Sequence, residues 1–105
     1  MIIEFKDCAL EELYLFGSTK NHKYYKLTKE IIKQYIKTVN YIKAVTQIED
    51  LFFIKSLHYE KKGGDLKGNE AVWINRQYRL IFKSSSSDKG HIVEIQIIEI
   101  SKHYE

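Results

Sequence analysis

The spacing of apolar residues changes near the middle of this 105-residue chain. In the first half, apolar residues recur every three or four positions, which is the spacing of one face of an α-helix. In the second half, they alternate or run together over short stretches between glycine- and serine-rich segments, as in strands joined by loops. This order predicts one α+β domain spanning 1–105, with two N-terminal helices packed on one face of an antiparallel sheet.

The first half predicts a strand and three helices. The strand "IIEF" precedes Asp7, which can cap a helix that ends at Gly17. A longer helix is predicted from Tyr24 to Val45. Its apolar stripe consists of Leu27, Ile31, Tyr35, Val39 and Ile42. The segment "TQIE" has the spacing of a capping box, in which Thr46 bonds forward and Glu49 bonds back, and predicts a short third helix.

The second half predicts four strands. Their sequences are "KSLHYE", "EAVWIN", "YRLIFK" and "HIVEIQIIEIS". The segments "KKGGDLKGN" and "SSSSDKG" are predicted loops, and a tight turn near Asn75 and Arg76 joins the middle two strands.

Composition excludes some classes of protein. No run of about 18 apolar residues exists, so no membrane span is predicted, and the start lacks the pattern of a signal peptide. The single cysteine, Cys8, cannot form an internal disulfide and is expected to pack as a small hydrophobic residue. These features predict a cytoplasmic protein. The net charge of +3 permits a nucleic-acid partner without requiring one.

Three lysines line the polar side of the long helix at intervals of four residues: Lys29, Lys33 and Lys37. Like charges at this spacing repel by a few tenths of a kcal/mol per pair, on the order given for helix surfaces. The stripe is either a solvated face or a surface for RNA or an acidic partner.

The chain has fifteen lysines but only two arginines, Arg76 and Arg79, which lie three positions apart at the predicted hairpin. Arginine differs from lysine in its planar fork, which can hold phosphate or carboxylate with two hydrogen bonds. Arg79 could therefore bind a phosphate, pin the hairpin, or bridge to a carboxylate such as Glu94. Arg76 is either a helper at the same site or a solvated turn residue.

No metal or cofactor site is predicted. The four histidines form no His-x-x-x-His pair, the chain has no cysteine cluster, and "GGDLKG" matches no nucleotide-binding loop. The polar residues of the sheet half remain as candidates. They are His58, Lys67, Arg79, Lys102, His103 and Tyr104.

These residue types suit the cleavage of RNA. The 2′-hydroxyl attacks the adjacent phosphorus, so a base must take its proton and an acid must protonate the leaving 5′-oxygen. Histidine can do either task, which makes His58 a candidate, whereas Arg79 suits the stabilisation of the negative charge that develops. Trp73 and Tyr78 are expected to pack in the core or on the sheet face rather than to stack on bases.

The segments "FKDCALEELYLFG", "IEDLFFIKSLHYE", "GDLKG", "INRQYRLIF" and "IIEISKHY" resemble, in this order, the HigB branch of the RelE/ParE toxin superfamily. The resemblance extends over essentially the whole chain. It implies a twisted antiparallel sheet covered by two helices, and a toxin of a type II toxin–antitoxin pair. Toxins of this branch cleave mRNA in the ribosomal A site without a metal, and a helix-turn-helix, HigA-like antitoxin neutralises them.

The resemblance also implies roles for single residues. His58 would be a histidine of the cleavage site and Arg79, from "QYR", the arginine that holds the phosphate. Lys67 would be a loop cation, and His103 with Tyr104 would complete the site. The remaining RNA-contacting candidates are Arg76, Lys102, Lys29, Lys33 and Lys37.

The sequence departs from the family pattern at three positions where a cation is usual. These positions hold Gly63, Leu66 and Trp73. Loss of one preorganised donor from a charge-stabilising site costs about 3 kcal/mol. The departures therefore predict either a weak nuclease or replacement of the lost cations by Arg76.

Three functions stay open at this point. The first is a HigB-like endoribonuclease that cuts mRNA on the ribosome. The second is a ParE-like toxin of the same fold that inhibits DNA gyrase and has no nuclease activity. The third is a toxin without activity that only binds its antitoxin.

Overall fold

Three α-helices and five strands make up the computed structural model, which describes residues 1–61, 68–86 and 92–102. The strands are β1 (Ile2–Phe5), β2 (Glu60–Lys61), β3 (Glu70–Trp73), β4 (Tyr78–Ser86) and β5 (Ile92–Lys102). The helices are α1 (Cys8–Phe16), α2 (Lys29–Ala44) and α3 (Glu49–Phe52), and a 3-10 turn covers Lys55–Leu57. No helix in these ranges is long and apolar enough to cross a membrane.

Helix α1 has the limits that the sequence predicts. The Asp7 side chain accepts a hydrogen bond from the backbone N–H of Ala9 at 2.8 Å and so satisfies one of the first N–H groups of the helix. Gly17 ends the helix with φ of 73° and donates its N–H to the Leu13 carbonyl. Cys8, at the first position of α1, is exposed, so the expectation that it packs as a small hydrophobic residue is wrong.

Helix α2 begins later than predicted. Thr28 caps it by accepting the backbone N–H of Ile31 at 3.2 Å, and the preceding residues from Tyr24 form turns instead of a helical segment. The short third helix is confirmed at Glu49–Phe52, but the capping box is wrong. Thr46 donates its backbone N–H and its hydroxyl to Asp50, at 3.4 Å each, and Ile48 occupies the cap position.

The sheet confirms the α+β class and adds one parallel pair. Its strand order is β1-β5-β4-β3-β2, and neighbouring strands are antiparallel except for β1 and β5. Ile3 lies opposite Ile95 in that parallel pair. A parallel pair needs a long connection between its strands, and here the three helices and the other three strands supply it.

The strand predicted for "KSLHYE" is wrong over most of its length. Lys55–Leu57 forms the 3-10 turn, and His58 adopts a left-handed conformation with φ of 46°. Only Glu60–Lys61 joins the sheet, at its edge. Leu57 is buried in the core, so the chain must reverse direction immediately after it to reach the sheet edge, and His58 makes this reversal.

A single hydrophobic core lies between the helices and one face of the sheet. Helix α2 contributes Tyr35, Val39 and Ile42, all fully buried. The hydroxyl of Tyr35 donates to the Leu10 carbonyl at 2.8 Å, so this buried polar atom is satisfied. The sheet contributes Val72, Ile74, Leu80, Phe82, Ile95, Ile97 and Ile100. Since side chains alternate along a strand, the neighbours of these residues face the opposite side of the sheet.

Candidate functional site

The β3–β4 hairpin forms the centre of the candidate site. A two-residue turn at Asn75 and Arg76 would pair Trp73 with Tyr78, but the observed loop has four residues, 74–77. The longer loop shifts the register, and Trp73 lies directly opposite Arg79. Because Leu80 points into the core, Arg79 and Trp73 share the face of the sheet that is turned away from the helices.

The side chain of Asn75 builds this loop and ties it to α2. Its Oδ1 accepts the backbone N–H groups of Gln77 and Tyr78, both at 2.8 Å. Its Nδ2 donates to Oε1 of Gln34 in α2 at 2.9 Å. The loop is therefore held from inside by one asparagine and fixed to the helix layer by the same residue.

Arg79 closes the loop from the strand side. Its Nη1 donates to the carbonyl oxygens of Asn75, Arg76 and Tyr78 at 2.9, 3.3 and 3.2 Å. The side chain is only 7% exposed. Arg79 therefore does pin the hairpin, which is one of the interpretations that the sequence left open. A bridge to Glu94 is wrong, because Arg79 pairs with Ser101 whereas Glu94 pairs with Ser85 near the other end of β4.

Trp73 brings the two principal candidates together. The guanidinium carbon of Arg79 lies 4.2 Å from the centre of the Trp73 ring, which is cation–π distance. The imidazole of His58 stacks on Trp73 with ring centres 3.7 Å apart and planes inclined by 25°. We refer to His58, Trp73 and Arg79 as the Trp73 cluster. His58 is exposed to solvent, whereas Arg79 is nearly enclosed.

A buried carboxylate lies on the helix side of the sheet, on the face opposite to Trp73. Glu70 is buried and accepts the backbone N–H of Ser84 at 3.0 Å and its hydroxyl at 2.6 Å. The hydroxyl of Tyr59 also donates to Glu70. Burial raises the pKa of the Tyr59 phenol, and the hydrogen bond to Glu70 raises it further. Tyr59 is thus held in place directly after His58.

An open cavity of about 350 Å³ lies between α3 and His58. It is lined by Phe52, Ile54, Lys55, His58 and Tyr59. The Phe52 and Tyr59 rings are in contact, with centres 4.6 Å apart. We refer to this cavity as the Phe52 pocket. It shares His58 with the Trp73 cluster, so the two features form one continuous surface.

The sequence matches no protein-family model and no curated protein. The fold matches solved structures over nearly the whole chain. A YoeB/ParE toxin from Agrobacterium tumefaciens aligns with a TM-score of 0.62 at 14% identity, covering 99% of this chain and 100% of that one. A YoeB–YefM complex from Staphylococcus aureus aligns with a TM-score of 0.50 at 21% identity, covering 99% and 98%.

This chain has the fold of the YoeB/ParE toxins. The fold that the sequence resemblance to the RelE/ParE toxins implied is confirmed. The assignment to the HigB branch stays a prediction.

Within this YoeB/ParE fold, the predicted residues fall into three groups. His58 and Arg79 meet through Trp73. Lys102 is exposed on β5 opposite Tyr78, one register position from Arg79, and Arg76 is exposed at the loop tip. Lys67, His103 and Tyr104, with the departures at Gly63 and Leu66, lie outside the described residues.

The lysine stripe is separate from the Trp73 cluster. Lys29, Lys33 and Lys37 are exposed on α2, in the layer that covers the other face of the sheet. Lys33 and Lys37 border an open groove of about 510 Å³ that also contains Ile36 and Tyr41. The stripe is therefore a second charged surface and does not extend the first.

Sequence reasoning did not assign a site role to three residues that shape this region. Trp73 was expected to pack on the sheet face, which it does, but its contact with both His58 and Arg79 was not anticipated. Glu70 and Tyr59 were also missed. The available signal was the charge of Glu70 at the head of the apolar strand "EAVW", since a buried carboxylate requires donors close by.

Proposed function

We propose that this protein is the toxin of a type II toxin–antitoxin pair and that it cleaves mRNA on the ribosome without a metal. The fold it shares with YoeB/ParE toxins supports the first statement. The second is carried by the Trp73 cluster, in which a solvent-exposed imidazole and an enclosed guanidinium contact the same ring.

Arg79 supplies the fixed positive charge in this mechanism. A phosphorane gains negative charge as the 2′-oxygen attacks, and a donor that is already oriented stabilises this charge without reorganisation. Nη1 holds the loop carbonyls, so the phosphate would meet the other edge of the guanidinium. The loop contacts that pin the hairpin also orient the cation, and the structural and catalytic roles of Arg79 are compatible.

His58 supplies one of the two proton transfers. It is exposed, its backbone conformation is fixed by the reversal after Leu57, and its ring is fixed on Trp73. The second proton transfer is assigned to His103 or Tyr104. The observed register supports this assignment, because Ser101 and Lys102 bring the end of β5 beside Arg79 and Tyr78. Lys67, Lys102 and Arg76 are proposed to contact the RNA backbone.

The proposed partners are the ribosome, its mRNA and a helix-turn-helix, HigA-like antitoxin, all in the cytoplasm. The Staphylococcus aureus protein of this fold is found in a complex with YefM, a different antitoxin. The lysine stripe on α2 is proposed to rest on ribosomal RNA, since it is exposed and belongs to the helix layer rather than to the Trp73 cluster.

The test is cleavage of mRNA, naked and on translating ribosomes, at a constant concentration of free divalent ion. We expect cuts on ribosomes only. His58→Asn is the sharpest variant because asparagine tolerates the left-handed conformation at this position. We expect His58→Asn to retain its fold and to lose about 10²-fold or more in rate, as for removal of a general acid or base. Absence of cleavage by the folded wild-type protein under all conditions would refute the nuclease proposal.

A ParE-like toxin that acts on DNA gyrase is the second candidate. Trp73 stands at a position where the nuclease pattern has a cation, and Arg79 already holds three carbonyl groups. Both observations favour a toxin that has this fold but does not cleave RNA. Inhibition of DNA supercoiling by the purified protein, with no cleavage of ribosome-bound mRNA, would establish this candidate.

A further inference from the structure

The Phe52 pocket has the composition of a site for a flat aromatic ligand. Phe52 is 49% exposed although it touches Tyr59, so part of its ring is accessible from the cavity. Ile54 adds an apolar wall, and the cationic residue Lys55 also lines the cavity. Aromatic surface beside a cation is the combination that binds single-stranded nucleic acids, in which bases stack and phosphates pair with lysine.

The Tyr59 wall of this pocket is held in place before any ligand binds. The Tyr59 hydroxyl donates to Glu70, and Glu70 is fixed in turn by the hydroxyl and backbone N–H of Ser84 on β4. The Tyr59 ring also approaches Phe82 in the core, with ring centres 6.3 Å apart. A ligand would therefore meet an aromatic wall whose orientation is already set, which lowers the entropy cost of binding.

The pocket is continuous with the proposed cleavage centre through one residue. His58 lines the pocket and stacks on Trp73, and the guanidinium of Arg79 contacts the same indole. We expect a strand whose phosphate lies at Arg79 to bring a neighbouring base to the pocket, which Lys55 also lines.

We propose that the Phe52 pocket binds one nucleobase of the RNA strand, adjacent to the phosphate that is cleaved. The base stacks on the Phe52 and Tyr59 rings, and Lys55 pairs with its phosphate. This subsite rests on the proposed function and goes beyond it, because it assigns the positioning of the substrate to α3 and the turn that follows it. An apolar protein segment is the other class of occupant for this surface, since Phe53 beside it is 82% exposed. The cation and the shared histidine favour RNA.

The test is direct binding of short fluorescein-labelled RNA, measured by fluorescence anisotropy at low salt. One RNA carries all its bases, and the second has an abasic unit at one central position. Both carry 2′-deoxyribose at that position, so neither can be cleaved there. The variants are Phe52→Ala, Phe52→Trp and the control Phe16→Ala, which removes a 75% exposed phenylalanine from α1.

We expect the wild-type protein to bind the complete RNA roughly 5- to 150-fold more tightly than the abasic RNA, as for stacking of one base. Phe52→Ala should abolish this preference, while Phe52→Trp and Phe16→Ala should keep it. Equal affinity of the wild-type protein for the two RNAs would overturn the subsite. A folded Phe52→Ala variant that still prefers the complete RNA over the abasic RNA would also overturn the subsite. This holds equally if that variant keeps its RNA preference and loses antitoxin binding.

Failure of this subsite is distinguishable from failure of the proposed function. If the wild-type protein and Phe52→Ala both cleave mRNA on ribosomes and His58→Asn does not, the nuclease proposal is supported and the pocket does not contribute to substrate binding. If the protein binds the complete RNA more tightly than the abasic RNA but cleaves no mRNA under any condition, the base-binding subsite is supported and the nuclease proposal is refuted.

Discussion

Among single residues, Arg79 has a measurable structural role. Its Nη1 donates to the carbonyl groups of two loop residues and of Tyr78 at the start of β4, and its guanidinium covers Trp73. Removal of a charged donor that serves partly buried acceptors costs about 2–3 kcal/mol of unfolding free energy. In urea denaturation, we expect the unfolding free energy of Arg79→Ala to fall by that amount. Arg79→Lys should fall by less because lysine keeps the charge, although it lacks the planar fork.

Arg76→Ala is the matched control for this measurement. Arg76 is exposed at the tip of the same loop, so its removal should change the unfolding free energy by less than about 0.5 kcal/mol. Equal urea midpoints for Arg79→Ala and the wild-type protein would show that the carbonyl contacts do not hold the hairpin. The comparison also matters for activity, because a loss of cleavage in Arg79→Ala is informative only where the variant is folded.

Tyr59 donates its hydroxyl to a buried carboxylate. Tyr59→Phe removes one donor from the buried carboxylate of Glu70 and should cost about 1–3 kcal/mol. Burial and the bond to Glu70 raise the pKa of the phenol in the folded protein. A phenol whose pKa is raised on folding adds stability that is fully present below the pKa of the unfolded chain. This stability is lost as the pH rises from that pKa through the raised pKa of the folded protein. The difference between Tyr59→Phe and the wild-type protein should therefore shrink above about pH 10.

Tyr25→Phe provides the reference for Tyr59. Tyr25 is 52% exposed, so the same loss of a hydroxyl should leave the urea midpoint nearly unchanged. If Tyr59→Phe is as stable as Tyr25→Phe at pH 7, Glu70 is adequately satisfied by Ser84 alone.

Among the helices and strands, the limits that depend on hydrogen bonds between nearby residues could be predicted from the sequence. Asp7 and Gly17 delimit α1 through bonds within a few residues, and both limits were predictable. The start of α2 was not, because the apolar spacing continues through the turns that contain the buried Tyr24, and the helix begins only after the cap at Thr28. The turn at His58 was missed because an apolar–polar alternation does not distinguish a strand from a chain reversal beside a buried leucine.

The parallel β1–β5 pair carries a pH prediction. Glu94 lies opposite Ile2, two residues before Glu4, so the two glutamates lie on the same side of the pair. A hydrogen bond with Glu4 and the negative charge of that carboxylate raise the pKa of Glu94 above its ordinary value of 4.5. A raised carboxyl pKa favours the folded state below the ordinary value, and this contribution is lost as the pH rises through the raised value. The wild-type protein should therefore lose stability at this edge between acidic and neutral pH.

Glu94→Gln removes one of the two charges, so we expect a higher melting temperature than wild type at pH 7 and a smaller difference at pH 4. Thermal denaturation of both proteins at the two pH values is sufficient. Glu11→Gln, which also removes one exposed carboxylate, is the control. An increase for Glu94→Gln that is equal at pH 4 and pH 7 would contradict coupling between Glu4 and Glu94.

For the whole molecule, topology brings together residues that no local pattern connects. β5 reaches from the edge strand β1 to the hairpin, so its end lies beside Arg79, while the turn after α3 places His58 on Trp73. The order of helices and strands predicted the α+β class. The contact between His58 and Trp73 depends on the sheet edge, the core position of Leu57 and the four-residue loop together, and none of these can be read from a single segment.

The lysine stripe on α2 contributes to the net positive charge of the whole molecule. Replacing Lys29, Lys33 and Lys37 by glutamate changes the formal net charge from +3 to −3, since each replacement changes it by two. A contact between lysine and an RNA phosphate makes binding salt-dependent, with a slope of about 0.7–0.9 per contact in a plot of log affinity against log salt concentration. If the stripe rests on ribosomal RNA, the triple variant should bind ribosomes more weakly and lose about 2–3 from this slope. Lys6, Lys20 and Lys26, also exposed, provide a control triple variant with the same net charge. Equal slopes for the two triple variants would attribute the effect to net charge alone and remove α2 from the ribosome contact.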